Sequence, residues 1–226
     1  MTRPRICVVI QALTTDQAVS RVRSLEVVAP DLIEIRFDYA QDRIDPWVIR
    51  RTTEALLVAT YRAKRQKGCS TTPDKDEMSV ILEACEAGFQ YTDVKLSTPN
   101  LIELAEKVHE LGSDLIVSHH DHQGTPSKRV MEEVLNLSLA VGGDVCKVVG
   151  TANAYEDNLA YLEFVRRNPG TVSFGMGCLG VPSRLLCPLF GGAFTYASAV
   201  KGEESAPGQL TLEEMRGIYR LMGVGE

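Results

Sequence analysis

One repeating unit governs what this chain can fold into: a short apolar run, a polar turn, then a segment with helical spacing. The apolar runs read as strands near 5–10 (RICVVI), 32–37 (LIEIRF), 56–61 (LLVATY), 91–96 (YTDVKL), 114–119 (DLIVSH), 144–149 (DVCKVV), 171–176 (TVSFGM) and 192–197 (GAFTYA). Helical patterns fall near 15–28, 46–54, 76–88, 100–111, 127–141, 155–167, 183–187 and 211–222. Strands alternating with helices imply right-handed crossovers and a parallel sheet buried on both faces. Eight such units in 226 residues predict an α/β fold, a (β/α)8 TIM barrel at the small end of its size range. A doubly wound open sheet is the competitor, but it would carry a glycine-rich phosphate turn after the first strand. That turn reads IQALTTDQ, without GxGxxG. No Pro/Gly/Ser-rich linker divides the chain, so residues 1–226 are read as one domain. In the last helix Leu212, Met215, Ile218, Tyr219 and Met222 form an apolar stripe, and Thr211 with Glu214 resembles a capping box.

Composition enters as a filter on function. Hydrophobic residues at 44% and charged residues at 24% suffice for one sizeable core, which excludes a disordered chain. A formal charge of −6 argues against a basic-patch nucleic-acid binder while leaving room for a local cationic pocket. The N-terminal segment has an apolar run of five residues, Ile6 to Ile10, too short for a signal-peptide core or a membrane span. Cys7, Cys69, Cys85, Cys146, Cys178 and Cys187 form no CxxC pair and read as buried free thiols of a reducing compartment. These features describe a cytoplasmic enzyme with neither nucleic-acid nor membrane partner. Oligomeric state does not follow from them; a homodimer is compatible.

A barrel enzyme carries its chemistry at the C-terminal ends of its strands. Strand two ends in Glu34, Arg36 and Asp38 on one face, with Ile33, Ile35 and Phe37 on the other, so the charged face is assigned to the barrel mouth. Strand three runs into Arg62, and strand four carries Tyr91, Asp93 and Lys95 on one face. Strand five ends Ser118-His119-His120-Asp121-His122. Parity favours His120 for the mouth, as a general base, although His-x-His is also a metal-ligand spacing. Lys147 sits inside an apolar run that is buried on both faces. Desolvation disfavours an ammonium, and a lysine tuned that way is a Schiff-base nucleophile toward a ketone or aldehyde. Lys95 is a rival that composition does not eliminate. Arg184, after strand seven, suits a carboxylate bidentately. The polar loop 201–210 (KGEESAPGQL) reads as a lid on which Ser205 and Gln209 can hydrogen-bond a ligand.

The chain closely resembles type I 3-dehydroquinate dehydratases, the Schiff-base dehydratases of the shikimate pathway, from its first strand to its last helix. The motifs that carry the resemblance are Glu34-Ile-Arg36-x-Asp38, Thr60-Tyr-Arg62, Ser118-x-His120-Asp121, Asp144-x-x-Lys147, Met176-Gly-x-x-Gly-x-x-Ser183-Arg184 and Ser205-Ala-Pro-Gly-Gln209, in the family's order. The resemblance implies a syn elimination of water from 3-dehydroquinate, without metal or cofactor. It makes Lys147 the imine-forming residue, in preference to Lys95, and His120 the general acid and base. It implies that Arg184, Ser205 and Gln209 hold the substrate carboxylate, and that Glu34, Arg36 and Arg62 bind ring hydroxyls.

The sequence departs from the family pattern at three places. Gln66 stands where an acidic partner of the histidine is usual, Lys95 replaces another acid, and His122 replaces an aromatic. Three other functions compete: a different imine-forming barrel lyase of the aldolase or transaldolase type, a metal-dependent hydrolase using His120 and His122, and a non-catalytic carboxylate-binding barrel. The pairing of Glu34-Ile-Arg36 with Ser-Ala-Pro-Gly-Gln speaks against the aldolase type.

Overall fold

A computed structural model describes residues 3–62 and 74–224, with residues 74–77 described by their backbone alone. Among the described residues eight strands alternate with eight α-helices. The strands are β1 (Ile6–Gln11), β2 (Leu32–Arg36), β3 (Leu56–Thr60), β4 (Tyr91–Lys95), β5 (Asp114–Asp121), β6 (Val145–Thr151), β7 (Val172–Met176) and β8 (Thr195–Ser198). The helices are α1 (Thr15–Glu26), α2 (Pro46–Arg50), α3 (Asp74–Glu86), α4 (Leu101–Glu110), α5 (Lys128–Ala140), α6 (Asp157–Arg167), α7 (Val181–Leu186) and α8 (Leu212–Leu221). All eight strands join one sheet in the order β7-β6-β5-β4-β3-β2-β1-β8, and every pairing between neighbours is parallel. The seam between β7 and β8 is closed at its lower end by Ala193 N–H donating to Thr171 O at 2.9 Å. It is closed inside the barrel by the Phe174 and Tyr196 rings, 6.1 Å apart. The fold is a (β/α)8 barrel.

Alternation along each strand sorts the side chains into two cores. Ile33, Ile35, Leu57 and Ala59 point outward and pack with Val22, Ile49, Ile81 and Met215 of the helical layer. Cys7, Leu32, Val58, Ile116, Val172 and Phe194 point inward and fill the barrel. Local signals set the helix ends. Ser127 caps α5 by accepting from Val130 N–H, and Asp45 caps α2 ahead of Pro46. The Thr211–Glu214 capping box of α8 is present in both directions. Leu212, Met215 and Tyr219 of its stripe are buried, whereas Met222 lies beyond the helix and is exposed.

Several boundaries differ from the sequence expectation. Strand two stops at Arg36, and Phe37–Tyr39 turns as a 3-10 helix, so Asp38 does not continue the inward face. Its carboxylate instead accepts both a Nε and a Nη2 bond from Arg36, each at 2.8 Å. Strand five runs two residues further than expected, to Asp121, because its upper end stays paired with β6. Strand eight starts late, at Thr195, after a 3-10 turn over Cys187–Phe190 and the left-handed Gly191. Five of the six cysteines are described and all five are free; Cys178 is exposed rather than buried. Cys69 and Gln66 lie outside the described residues.

Candidate active site

The upper end of the barrel opens into a cavity of about 210 Å³. Its lining includes every residue singled out from sequence for a catalytic or binding role: Glu34, Arg36, Arg62, His120, Lys147, Arg184, Ser205 and Gln209. Lys95 and His122 line it as well. Convergence from all parts of the chain follows from the register, which brings the C-terminal strand ends to one rim.

Lys147 is 6% exposed in the middle of β6, as the apolar run around it required. It is not an isolated desolvated charge, however. Its Nζ donates to Asp93 Oδ2 at 2.8 Å and lies 3.9 Å from the centroid of the Tyr196 ring. Asp93 Oδ1 accepts from Arg62 Nη2, and Arg62 Nη1 donates to the Asp93 backbone oxygen at 2.9 Å. One fully buried carboxylate on β4 therefore stands between two cations delivered by β6 and by the end of β3. Burial by itself would push the Asp93 carboxyl up. Arg62 and Lys147 outweigh it and hold Asp93 well below the usual carboxylate range. Arg62 was expected among the ligand contacts. It lines the cavity, but three of its donor bonds go to Asp93 and Ser118, whose Oγ accepts at 2.9 Å.

His120 rises from β5 beside this cluster, and His119 points to the other face, as parity required. The Nδ1 of His120 is buried without a hydrogen-bond partner. Burial, then the positive charges of Lys147 and Arg62, push the imidazole well below its ordinary value. Asp93 opposes the shift and Lys95 adds to it. A neutral imidazole beside a lysine can accept a proton, which is what general-base chemistry requires. The ring of His122 stacks on His120 at a centroid separation of 6.3 Å. Among the described residues no group of three or more His, Cys, Asp or Glu side chains is arranged to hold a metal ion.

Arg184 comes from α7 and lies over the Phe174 ring at 4.3 Å. It is 2% exposed, and its Nε and Nη2 have no hydrogen-bond partner. Burial lowers its pKa to about 10, slightly offset by Cys187. An unpaired buried guanidinium is costly in a fold and calls for an anion. The lid loop passes over this side. Ser205 N and Oγ donate to Gln209 Oε1 at 2.7 and 3.1 Å, which fixes both residues of the Ser-Ala-Pro-Gly-Gln segment. Pro207 O accepts from Gly177 N at 3.0 Å, docking the lid on the loop after β7. Gly208 is required there: its φ is +75°, and a Cβ would lie 2.1 Å from Gly177 O.

A family model for type I 3-dehydroquinases matches residues 6–226. The chain belongs to the type I 3-dehydroquinase family. It is 32% identical to a 3-dehydroquinate dehydratase of Dehalococcoides mccartyi, over 97% of this chain and 96% of that protein. It is 30% identical to one of Methanocaldococcus jannaschii, over 96% and 98%. A crystal structure of 3-dehydroquinate dehydratase from Geobacillus kaustophilus superposes with a TM-score of 0.89 at 26% identity, covering 98% of this chain and 92% of that one.

Two residues of this 3-dehydroquinase barrel are not marked as functional groups by the sequence: Asp93, fully buried and paired with Lys147 and Arg62, and Tyr196, on the cavity lining. Asp93 was visible as a strand-four polar residue, but its partners are 31 and 54 residues away. Tyr196 sat in the run GAFTYA, where an aromatic reads as core. No residue of the described chain is in a helix long and apolar enough to cross a membrane.

Proposed function

We propose that this chain is a cytoplasmic lyase that dehydrates 3-dehydroquinate to 3-dehydroshikimate, with residues 1–226 forming one catalytic domain. The observation that carries the reading is the buried Lys147 ammonium at 2.8 Å from Asp93, in the same cavity as His120 and the unpaired Arg184. The names of the relatives, 3-dehydroquinate dehydratase, support the substrate. Nothing in the scheme calls for a metal, cofactor, nucleic acid or membrane, and a homodimer remains compatible with it.

The mechanism follows from the charges. His120, neutral at rest, takes a proton from Lys147, freeing an amine that attacks the C3 ketone. Overall the ketone and the ammonium give a protonated imine and one water, so no outside acid is consumed. The imine draws electrons from the C2–H bond, and His120 accepts that proton, leaving an enamine. The enamine expels the C1 hydroxyl on the same face as His120 returns the proton, and one water departs. Hydrolysis of the conjugated imine releases product and restores the ammonium. Asp93, held ionised, balances the positive charge of Lys147 and of each protonated imine, while Arg62 fixes Asp93. Arg184 binds the substrate carboxylate, with Ser205 and Gln209 closing over it; Glu34 and Arg36 take ring hydroxyls.

Mass spectrometry of the intact protein and its peptides after borohydride addition, with and without 3-dehydroquinate, tests the reading. A reduced substrate adduct on the Lys147 peptide is expected. An adduct on Lys95 would overturn the residue assignment, and its absence in folded protein would overturn the imine mechanism.

A further inference from the structure

The floor of the cavity holds a polar group that the mechanism above does not use. Tyr196 is 4% exposed on β8, and its hydroxyl is buried with no hydrogen-bond partner while its ring lines the cavity. The ring is fixed on two sides, by Phe194 at 5.6 Å and Phe174 at 6.1 Å between centroids. Phenylalanine would fill the same space without leaving a buried phenol unsatisfied, so the hydroxyl carries a desolvation penalty that the resting fold does not offset. Buried orphans of this kind need an explanation, and a functional one applies where the group faces a reactive centre.

Its position says which atom it addresses. Lys147 Nζ lies over this ring, 3.9 Å from the centroid. The oxygen on a ketone carbon bonded to that nitrogen is only two bonds from it, which brings that oxygen into the neighbourhood of this ring. Resting on the imine reading of the site, we propose that Tyr196 is a catalytic hydrogen-bond donor to the C3 oxygen of the ketone and of the carbinolamine derived from it. The phenol polarises the carbonyl as the amine adds and then stabilises the oxygen as the C–O bond breaks. It gives up no proton. The two hydrogens that leave with the oxygen as water are those lost by the Lys147 ammonium, carried by His120. Burial first, then the negative charges of Glu34 and Asp93, hold the phenol well above its ordinary pKa, which keeps it a donor throughout. The same donor serves in reverse when water attacks the product imine.

The test is Tyr196→Phe, which removes the hydroxyl and keeps the ring beneath Lys147. Rapid mixing with 3-dehydroquinate, borohydride quenching at increasing times, and intact mass give the rate of imine formation in wild type and variant. Loss of one preorganised donor to a developing oxyanion slows such a step by about 10²-fold. The melting temperature of the variant should equal or exceed that of wild type, because the deleted hydroxyl has no partner in the resting fold. Wild-type imine formation in Y196F overturns the proposal and leaves the parent mechanism standing. A lowered melting temperature also overturns it, by placing the hydroxyl in a structural bond. Absence of any adduct in wild type is a different result and defeats the imine reading itself.

Discussion

Asp93→Asn separates the charge of the site from its shape. The amide is nearly isosteric, but it leaves Arg62 and Lys147 buried with no carboxylate between them, at side-chain exposures of 8% each against 0% for Asp93. Removing one partner of a buried pair costs about 3–5 kcal/mol, chiefly through the uncompensated charge left behind. At about 2–4 °C per kcal/mol for a chain of this size, the melting temperature should fall by roughly 6–20 °C. The pH dependence distinguishes this cause from a packing defect. The folded pKa of Asp93 is depressed, so its contribution is fully present above the unfolded carboxylate value and is lost as pH falls through the folded one. Thermal or urea melts of both proteins should show a constant gap from about pH 7 to about pH 5, narrowing only below about 3.9. A variant within about 1 kcal/mol of wild type at neutral pH would refute the account. A gap that closes between about pH 6 and about pH 5 would implicate a group other than Asp93.

Two further substitutions probe the ligand side. Arg184→Met removes a buried guanidinium whose Nε and Nη2 are unpaired, so KM should rise by about 10- to 100-fold, from loss of charge-assisted bonds to a carboxylate, with little effect on kcat. Its melting temperature should not fall, and steady-state kinetics beside a thermal melt checks both. Gly208→Ala places a methyl against Gly177 O at a φ of +75°, so the lid must undock from the loop after β7. The left-handed strain alone is about 1–2 kcal/mol. KM should rise while borohydride still labels Lys147, and an unchanged KM would show that the docked lid has no part in binding.

Much of the architecture was legible because it is periodic. A parallel sheet buried on both faces demands continuous apolar strands, and the eight runs announced themselves against polar turns. Parity assigned His120 to the cavity and His119 away from it, since a strand offers only two faces. Periodicity stops being informative where the chain leaves a strand. Asp38 follows Arg36 with apparent alternation, yet the 3-10 turn at Phe37 breaks the period and makes Asp38 the partner of Arg36. The start of β8, at Thr195, is not marked in the sequence because Gly192 and Ala193 carry no side-chain pattern to contradict a strand.

What the order of residues determined by itself was the barrel, its polar rim, and a lysine that had no reason to be in solvent. What only the tertiary structure decided was which charges neutralise one another. Asp93 joins Arg62, 31 residues away, to Lys147, 54 residues away, and Tyr196 comes beneath that lysine from the far end of the chain. Electrostatic energy depends on distance through space and on the exclusion of water, neither of which is defined until the sheet has closed. Before closure Lys147 is a lysine in an apolar run. Afterwards it is a paired ammonium over an aromatic ring, at the floor of a cavity with an unpaired arginine on its wall.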